Sequence, residues 1–455
     1  MASPNPDPAP VTIAILPSNL MPSLLSGAGR PGSTAPRRAR ARRLGSGVRG
    51  GGEGLCVLTT SRFTVNLLAV YPRDLVLPER SFFLFGPRGT GKTTWLRTVL
   101  PDAHWVDLLL ERELVRLTRD PGRFSEEVEA LPPGRWIVVD EVQRLPALLD
   151  QVQHLLVQHP RRWRFALTGS SARRLKRDQA NLLAGRVINR RFFPLTASEL
   201  GDDFAVERVL RFGTLPAVQA ETGSDAARAD ILEAYAENYL TQEIRSEALV
   251  KRLDAFTRFL EVAALANAQA TNVSAISRDA AVARPTVQGY FEILVDTLVG
   301  VWLPAWRPRA KIKEVAHPKF YFFDPGAIRA LAGRVREPLG TEERGGLLET
   351  YVFHELRAWM NRSGCRGRLA YWRTPSGSEV DFVFTRSGRN VGIEVKAASR
   401  WRRGDAAALA QLVAAKTVRR GYGVYLGRER LRQDGVLVLP LEDFLLRLVA
   451  GEVLV

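Results

Sequence analysis

The chain has 455 residues, 45% hydrophobic and 25% charged, enough to bury a sizeable core in roughly two to four domains. Its net charge of +17 rests on 65 Lys and Arg, of which only eight are lysine; this balance suits a polyanionic partner, and equally an arginine-rich composition with no binding role. No apolar run reaches the roughly 18 residues of a membrane span. Two cysteines, Cys56 and Cys365, are too few and too far apart for a disulfide framework or a zinc site, and fit a reducing cytoplasm.

Residues 1–65 read as a disordered basic extension. Pro, Gly, Ser and Ala dominate, RRARARR occupies 37–43, and VTIAIL lacks the preceding basic residues of a secretory signal. The extension is either a nucleic-acid-binding arm, a tail without function, or the product of a start codon placed too early.

From 66 to 205 the pattern is that of an α/β nucleotide-binding domain. SFFLF (81–85) is a strand-like run, and KTTWLRTVL (92–100) has helical spacing. Between them Gly86, Pro87, Arg88, Gly89, Thr90, Gly91, Lys92 and Thr93, followed by Thr94, fit G-x-x-x-x-G-K-[ST]. Glycines let backbone N–H groups wrap phosphate oxygens, and the helix N-terminus adds its positive dipole. Lys92 would reach the β- and γ-phosphates of ATP, and the Thr93 hydroxyl would ligate Mg2+. In RWIVVDEVQRLP (135–146) a buried strand ends in Asp140 and Glu141. Asp140 would hold Mg2+ through its water shell and Glu141 would polarise the attacking water. A third strand, in WRFALTGSSARRL (163–175), ends in hydroxyl residues. Strand ends of this kind face the ligand crevice of a parallel sheet, so Thr168 and Ser170 are candidates for sensing the γ-phosphate. Arg186, in LLAGR, is a candidate arginine finger, in cis or, within a homo-oligomer, in trans.

The succession FFLFGPRGTGKTT, WIVVDEVQRLP, FALTGSSARRL, LLAGR and FFPLTASEL closely resembles the AAA-type ATPases of the archaeal-ATPase-like clade that carry a C-terminal domain of unknown function of the DUF4143 type. The resemblance spans roughly residues 70 to 455. It implies a RecA-like sheet that binds and hydrolyses ATP and a restriction-endonuclease-like fold at the C-terminus; it names no substrate.

Residues 206–315 read as a helical domain with apolar residues at three- and four-residue spacing. Within it, VSAISRDAAVARPTVQGYFEILVDTLVGVWLPAW (273–306) resembles a winged helix-turn-helix: Pro285 opens a helix whose apolar face holds Val287, Phe291, Leu294 and Leu298. Arg284, Thr286 and Gln288 near its start would meet DNA. The alternative is a structural bundle that couples two domains.

The last segment, 316–455, carries a second chemical signal. SEVDFVF (378–384) and NVGIEVKAA (390–398) alternate around TRSGRN, which reads as a hairpin. Strand alternation puts Glu379 and Asp381 on one face and Glu394 and Lys396 on one face, so pairing of the apolar faces gathers Asp381, Glu394 and Lys396. That D…E-x-K set resembles restriction-endonuclease-like nucleases, in which two carboxylates hold Mg2+ and a lysine orients or deprotonates water. The helix in GGLLETYVFHELRAWM (345–360) offers a further metal-ligating acid, Glu355, with Glu349 as the other candidate. Arg373 and Ser376 could touch phosphate. The bland alternative is a surface hairpin with cross-strand ion pairs of about 0.2 to 1 kcal/mol each.

The expected fold is therefore α/β. It consists of a RecA-like P-loop ATPase sheet (66–205), a helical and winged-helix-like domain (206–315), and an α/β restriction-endonuclease-like domain (316–455). The expected function is a Mg-dependent ATPase coupled to a nuclease-like domain that works on nucleic acid, DNA rather than RNA, in the cytoplasm. The other reading is an ATP-driven regulatory switch or adaptor whose C-terminal domain binds DNA or a partner without cutting.

Overall fold

A computed structural model of the chain describes residues 71–171, 183, 185–240, 253–307 and 317–454. The basic extension 1–65 and the segment 241–252 lie outside the described residues.

Three apolar central strands and two more polar edge strands build the first sheet. Strands β1 (Phe82–Phe85), β2 (His104–Asp107), β3 (Trp136–Asp140), β4 (Arg164–Gly169) and β5 (Ile188–Arg191) lie in the order β2-β3-β4-β1-β5, all parallel. Parallel strands are covered on both faces, which is why β1, β3 and β4 are apolar nearly throughout. Phe82 and Leu84 pack with Trp95, Leu96 and Val138 on one face. Phe83 packs with Val139, Phe165, Leu167 and Leu148 on the other. The P-loop follows β1 and leads into the helix Lys92–Val99, so this sheet is a RecA-like ATPase sheet.

The middle of the chain is helical. The helices Leu253–Leu265, Val273–Asp279 and Arg284–Asp296 precede a two-stranded antiparallel hairpin of β6 (Gly300–Leu303) and β7 (Lys319–Phe322). Val287, Phe291 and Leu294 are buried, whereas Arg284, Thr286 and Gln288 are exposed. The hairpin runs across the boundary expected at 315/316, and one apolar core continues from these helices into the C-terminal sheet.

That second sheet is mixed. Its strands β8 (Arg368–Arg373), β9 (Glu379–Arg386), β10 (Arg389–Lys396), β11 (Arg420–Tyr425), β12 (Leu431–Gln433) and β13 (Val436–Pro440) run β12-β13-β11-β10-β9-β8. β10, β11 and β13 are mutually parallel, and the β8-β9-β10 pairings are antiparallel. Phe382, Phe384, Ile393 and Val395 face the core shared with Leu348, Val352 and Leu356 of the helix Thr341–Arg362.

The helix Thr341–Arg362 also clamps the ATPase sheet. The Glu355 carboxylate accepts the Ala197 N–H at 2.7 Å and the Tyr351 hydroxyl at 2.6 Å. Asn361 bonds both backbone groups of Arg191, at 3.0 and 2.8 Å. Arg362 pairs with Asp74. Burial pushes His354 down to about 3, so its ring is neutral and Nε2 faces the Leu195 carbonyl at 3.2 Å.

Burial also pushes the Glu355 carboxyl up to about 7 from its ordinary 4.5, despite the opposing hydrogen bonds from Tyr351 and Ala197. The unfolded chain therefore releases this proton at a lower pH than the folded chain does. The contribution of Glu355 to stability is complete below pH 4.5 and is lost as pH rises to about 7, a change on the order of 3 kcal/mol. In Glu355→Gln, urea unfolding midpoints should vary less between pH 4.5 and 7 than in wild type; an unchanged slope would exclude Glu355 as its source.

Candidate nucleotide site and C-terminal acidic cluster

The P-loop is shaped by close approach. A Cβ on Gly86 would meet the Phe192 carbonyl oxygen at 2.3 Å, and Gly91 stands at φ 89°, a left-handed conformation that glycine alone adopts without strain. Lys92 is 5% exposed and its Nζ donates to the Gly86 and Pro87 carbonyls at 2.8 and 3.1 Å. The Thr90 hydroxyl closes the loop onto Pro87 at 2.7 Å. Arg88, Gly89 and Thr94 are exposed along its rim.

Across the loop, the Thr93 hydroxyl donates to Asp140 at 2.7 Å, and the Thr168 hydroxyl donates to the other Asp140 oxygen. Thr168 also accepts the Glu141 N–H at 2.9 Å. Strand pairing sets this geometry, because β3 and β4 are neighbours and Asp140 ends β3. Burial raises the Asp140 carboxyl above its ordinary range, with Glu141 and Asp107 adding to the effect and the Thr168 and Thr93 hydroxyls opposing it. A buried carboxylate with acidic neighbours and two hydroxyls fits a hard cation.

Glu141 sits at φ 56°, uncommon for a residue with a side chain. Its carboxylate accepts from the Ser170 hydroxyl at 3.0 Å and from the Gln143 amide, which also donates to Ser170 at 3.0 Å. Thr168 thus touches Asp140 while Ser170 touches Glu141. Arg186 lies exposed in the segment before β5.

Sequence reasoning missed three neighbours of this site. Arg73 donates to the Thr90 and Phe193 carbonyls at 2.7 and 2.6 Å, pairs with Glu199 at 3.0 Å, and lies over the Phe192 ring. Tyr235 reaches the Arg88 carbonyl at 3.4 Å. Gln143 was visible inside DEVQRLP, but nothing local marks it as the partner of Glu141.

The C-terminal hairpin brings Asp381, Glu394 and Lys396 together. Its ladder ends at Ile393↔Phe382; beyond it the Asp381 carboxylate takes the Val395 N–H at 2.8 Å. Lys396 Nζ donates to Glu394 Oε1 at 2.5 Å, while Glu394 Oε2 is buried with no hydrogen-bond partner among the described residues. Glu349 joins this group and Glu355 does not. Six residues apart on one helix, the two acids point about 120° apart, and Glu355 is spent on Ala197. Glu355, expected beside Asp381 and Glu394, therefore lies outside their cluster, and the acid that this helix brings there is Glu349.

The residue wholly missed is Lys319. Its side chain is 3% exposed, and Nζ lies 2.8 Å from Glu349, 2.5 Å from Glu379 and 3.9 Å from Asp381. Burial works against its charge, but Glu349, Asp381 and Glu379 together hold the ammonium above its ordinary range. Burial, then Asp381, pushes Glu349 up to about 7 and Glu394 up to about 8. Arg373 lies 3.5 Å from Glu379, and the Ser376 hydroxyl bonds Thr374 at 2.8 Å. Among the described residues, no three His, Cys, Asp or Glu side chains are arranged to hold a metal ion, and no helix is long and apolar enough to cross a membrane.

Residues 78–201 match the family described as an AAA domain, residues 203–337 a domain of unknown function (DUF8612), and residues 344–444 a domain of unknown function (DUF4143). Uncharacterized proteins of Mycobacterium bovis and Mycobacterium tuberculosis are each 29% identical over 324 residues, covering 70% of this chain and 70% of the relative. Among solved structures, the Aeropyrum pernix ORC1 protein in complex with DNA is 14% identical, with a TM-score of 0.30, over 56% of this chain and 87% of its own. Thermotoga maritima RuvB is 15% identical, with a TM-score of 0.26, over 49% and 81%. The chain thus joins an AAA-type P-loop ATPase domain to a DUF4143 C-terminal domain.

Proposed function

We propose that the protein binds ATP with Mg2+ at Gly86–Thr93 and hydrolyses it, and that this ATPase is coupled to a nuclease-like domain working on nucleic acid. The observation that carries the ATPase reading is the contact of Thr93 with Asp140 across the P-loop, 2.7 Å long, with Glu141 the next residue. Mg2+, when bound, would neutralise charge developing on the β- and γ-phosphate oxygens. Thr93 and Asp140 are the residues that would hold it. Lys92, now on the Gly86 and Pro87 carbonyls, would turn its ammonium to the phosphates, and the loop N–H groups would cradle them.

Glu141 is the residue placed to orient water and accept its proton. In its present position Gln143 and Ser170 both bond its Oε2 and orient the carboxylate. Arg186 remains the candidate finger, in cis or from a second copy.

The nuclease-like reading rests on the convergence of Asp381, Glu394 and Lys396, with Glu349 as a further acid. The orphaned Glu394 Oε2 gives a divalent cation an acceptor to take up. A nucleic-acid partner is supported by the three helices and hairpin of the central region, with Arg284, Thr286 and Gln288 exposed at the start of the third helix. A second reading, in which the C-terminal domain binds a partner without cutting, is favoured by the lysine that already occupies the acidic cluster.

Lys92→Ala should abolish ATP binding and turnover, read by fluorescent-nucleotide binding and phosphate release; undiminished turnover would refute the site. Glu141→Gln should keep ATP binding and lose roughly 10²- to 10⁴-fold in turnover, and a smaller loss would assign the general base elsewhere. With Mn2+, cutting of DNA should vanish in Asp381→Ala. Equal cutting by that variant would place the nuclease outside this cluster.

A further inference from the structure

The acidic cluster holds four carboxylates, Glu349, Glu379, Asp381 and Glu394, against two ammonium groups, Lys319 and Lys396. The two lysines are not equivalent. Lys396 has a side chain 36% exposed and is committed to Glu394. Lys319 is 3% exposed and lies among three of the acids, with the Tyr371 ring 5.4 Å away. An ammonium has three donors; Glu349 takes one, and Glu379, at 2.5 Å, and Asp381, at 3.9 Å, pair with it by charge. On the far side, Glu394 Oε2 keeps a buried lone pair without a donor. The cluster therefore keeps an unfilled acceptor, yet its acids are turned onto a side chain rather than an open centre.

We infer that Lys319 is the resident cation of this site, and that a divalent ion enters fully only when Lys319 withdraws from Glu349 and Asp381. The inference rests on reading Asp381 and Glu394 as metal-binding, but not on cleavage. Lys319 begins β7, where it pairs with Leu303 of β6. The same hairpin is fastened to the central helices: the Ala268 N–H donates to the Phe320 carbonyl at 3.0 Å, and the Phe322 N–H to Asn267 at 2.9 Å. The strand that carries Lys319 is thus anchored to the turn after the helix Leu253–Leu265, so withdrawal of the ammonium is a turn of its own flexible four-carbon stem. A buried cation a few ångströms from the metal-binding oxygens repels a second cation.

The test uses the full chain without nucleotide and Mn2+ as the probe, its free concentration read by electron paramagnetic resonance. Lys319→Met should bind Mn2+ at least about tenfold more tightly than wild type, and the added change Asp381→Asn should abolish the gain. Lys319→Arg, which keeps the charge, should behave like wild type. The melting temperature of Lys319→Met should lie below that of wild type without metal and rise with Mn2+, while the wild-type value stays nearly constant. Equal Mn2+ affinity in wild type and Lys319→Met overturns the inference. If Lys319→Met does not fold, Glu379→Gln replaces it: removing one of the acids that hold Lys319 should also tighten Mn2+ binding, and no change overturns the inference. Lys319-dependent Mn2+ affinity without DNA cutting supports the inference and counts only against the nuclease reading.

Discussion

The contact between Glu355 and the Ala197 N–H is the joint on which the arrangement of the two sites depends. It lies where the helix Thr341–Arg362 meets the segment that leaves β5, and Asn361, His354 and Arg362 reinforce it along the same helix. That segment in turn bears on the P-loop. The Phe192 carbonyl stands against Gly86 so closely that no side chain fits there, and Glu199 holds Arg73, which bonds the Thr90 carbonyl. A continuous run of packed and hydrogen-bonded groups therefore leads from the phosphate loop to one face of the helix. Contiguity of this kind is a physical route, and coupling along it needs two discrete arrangements of at least one element.

Each end of the molecule's two-site region holds a carboxylate under restraint. Glu141 is held by Gln143 and Ser170 while its backbone sits in a left-handed conformation; strain of this kind persists only where surrounding structure enforces it. At the other end, Glu349, six residues before Glu355 on the same helix, grips Lys319. The helix is thus shared: one face answers to the ATPase sheet, and another supplies an acid to the C-terminal cluster. A rotation or shift of the helix that strengthened one contact would strain the other, because both donors are fixed on different elements.

What could be read from sequence alone follows the same division between local and tertiary causes. The P-loop, Asp140 and Glu141 were legible because their chemistry lies in short strings flanked by a strand and a helix, and the sheet places those strings by simple parallel pairing. The gathering of Asp381, Glu394 and Lys396 was legible because period-two alternation fixes faces whatever the rest of the chain does. The choice between Glu349 and Glu355 was not, since both lie on a helix buried on several sides, and an apolar stripe cannot say which of two acids meets which neighbour. Arg73 and Lys319 were invisible for a stronger reason. Each acts on groups that are near in space only after separate elements have packed: Arg73 on Thr90, 17 positions away, and on Phe193, 120 positions away, and Lys319 on acids from a helix and a strand that follow it.

Lys319 also changes what an intact D…E-x-K string signifies. The three residues can converge as the pattern requires and still face an ammonium where the chemistry calls for a divalent ion. A buried lysine placed among acids is costly to desolvate and is stabilised only by those acids, so the cluster and the lysine hold each other in place. Replacing the lysine by a metal exchanges one charge for two and offsets the burial and the Asp381 charge that raise Glu349 and Glu394, but it leaves the lysine in need of another partner. The energetic balance of the site is therefore set by where the Lys319 side chain can go as well as by the acidic residues themselves.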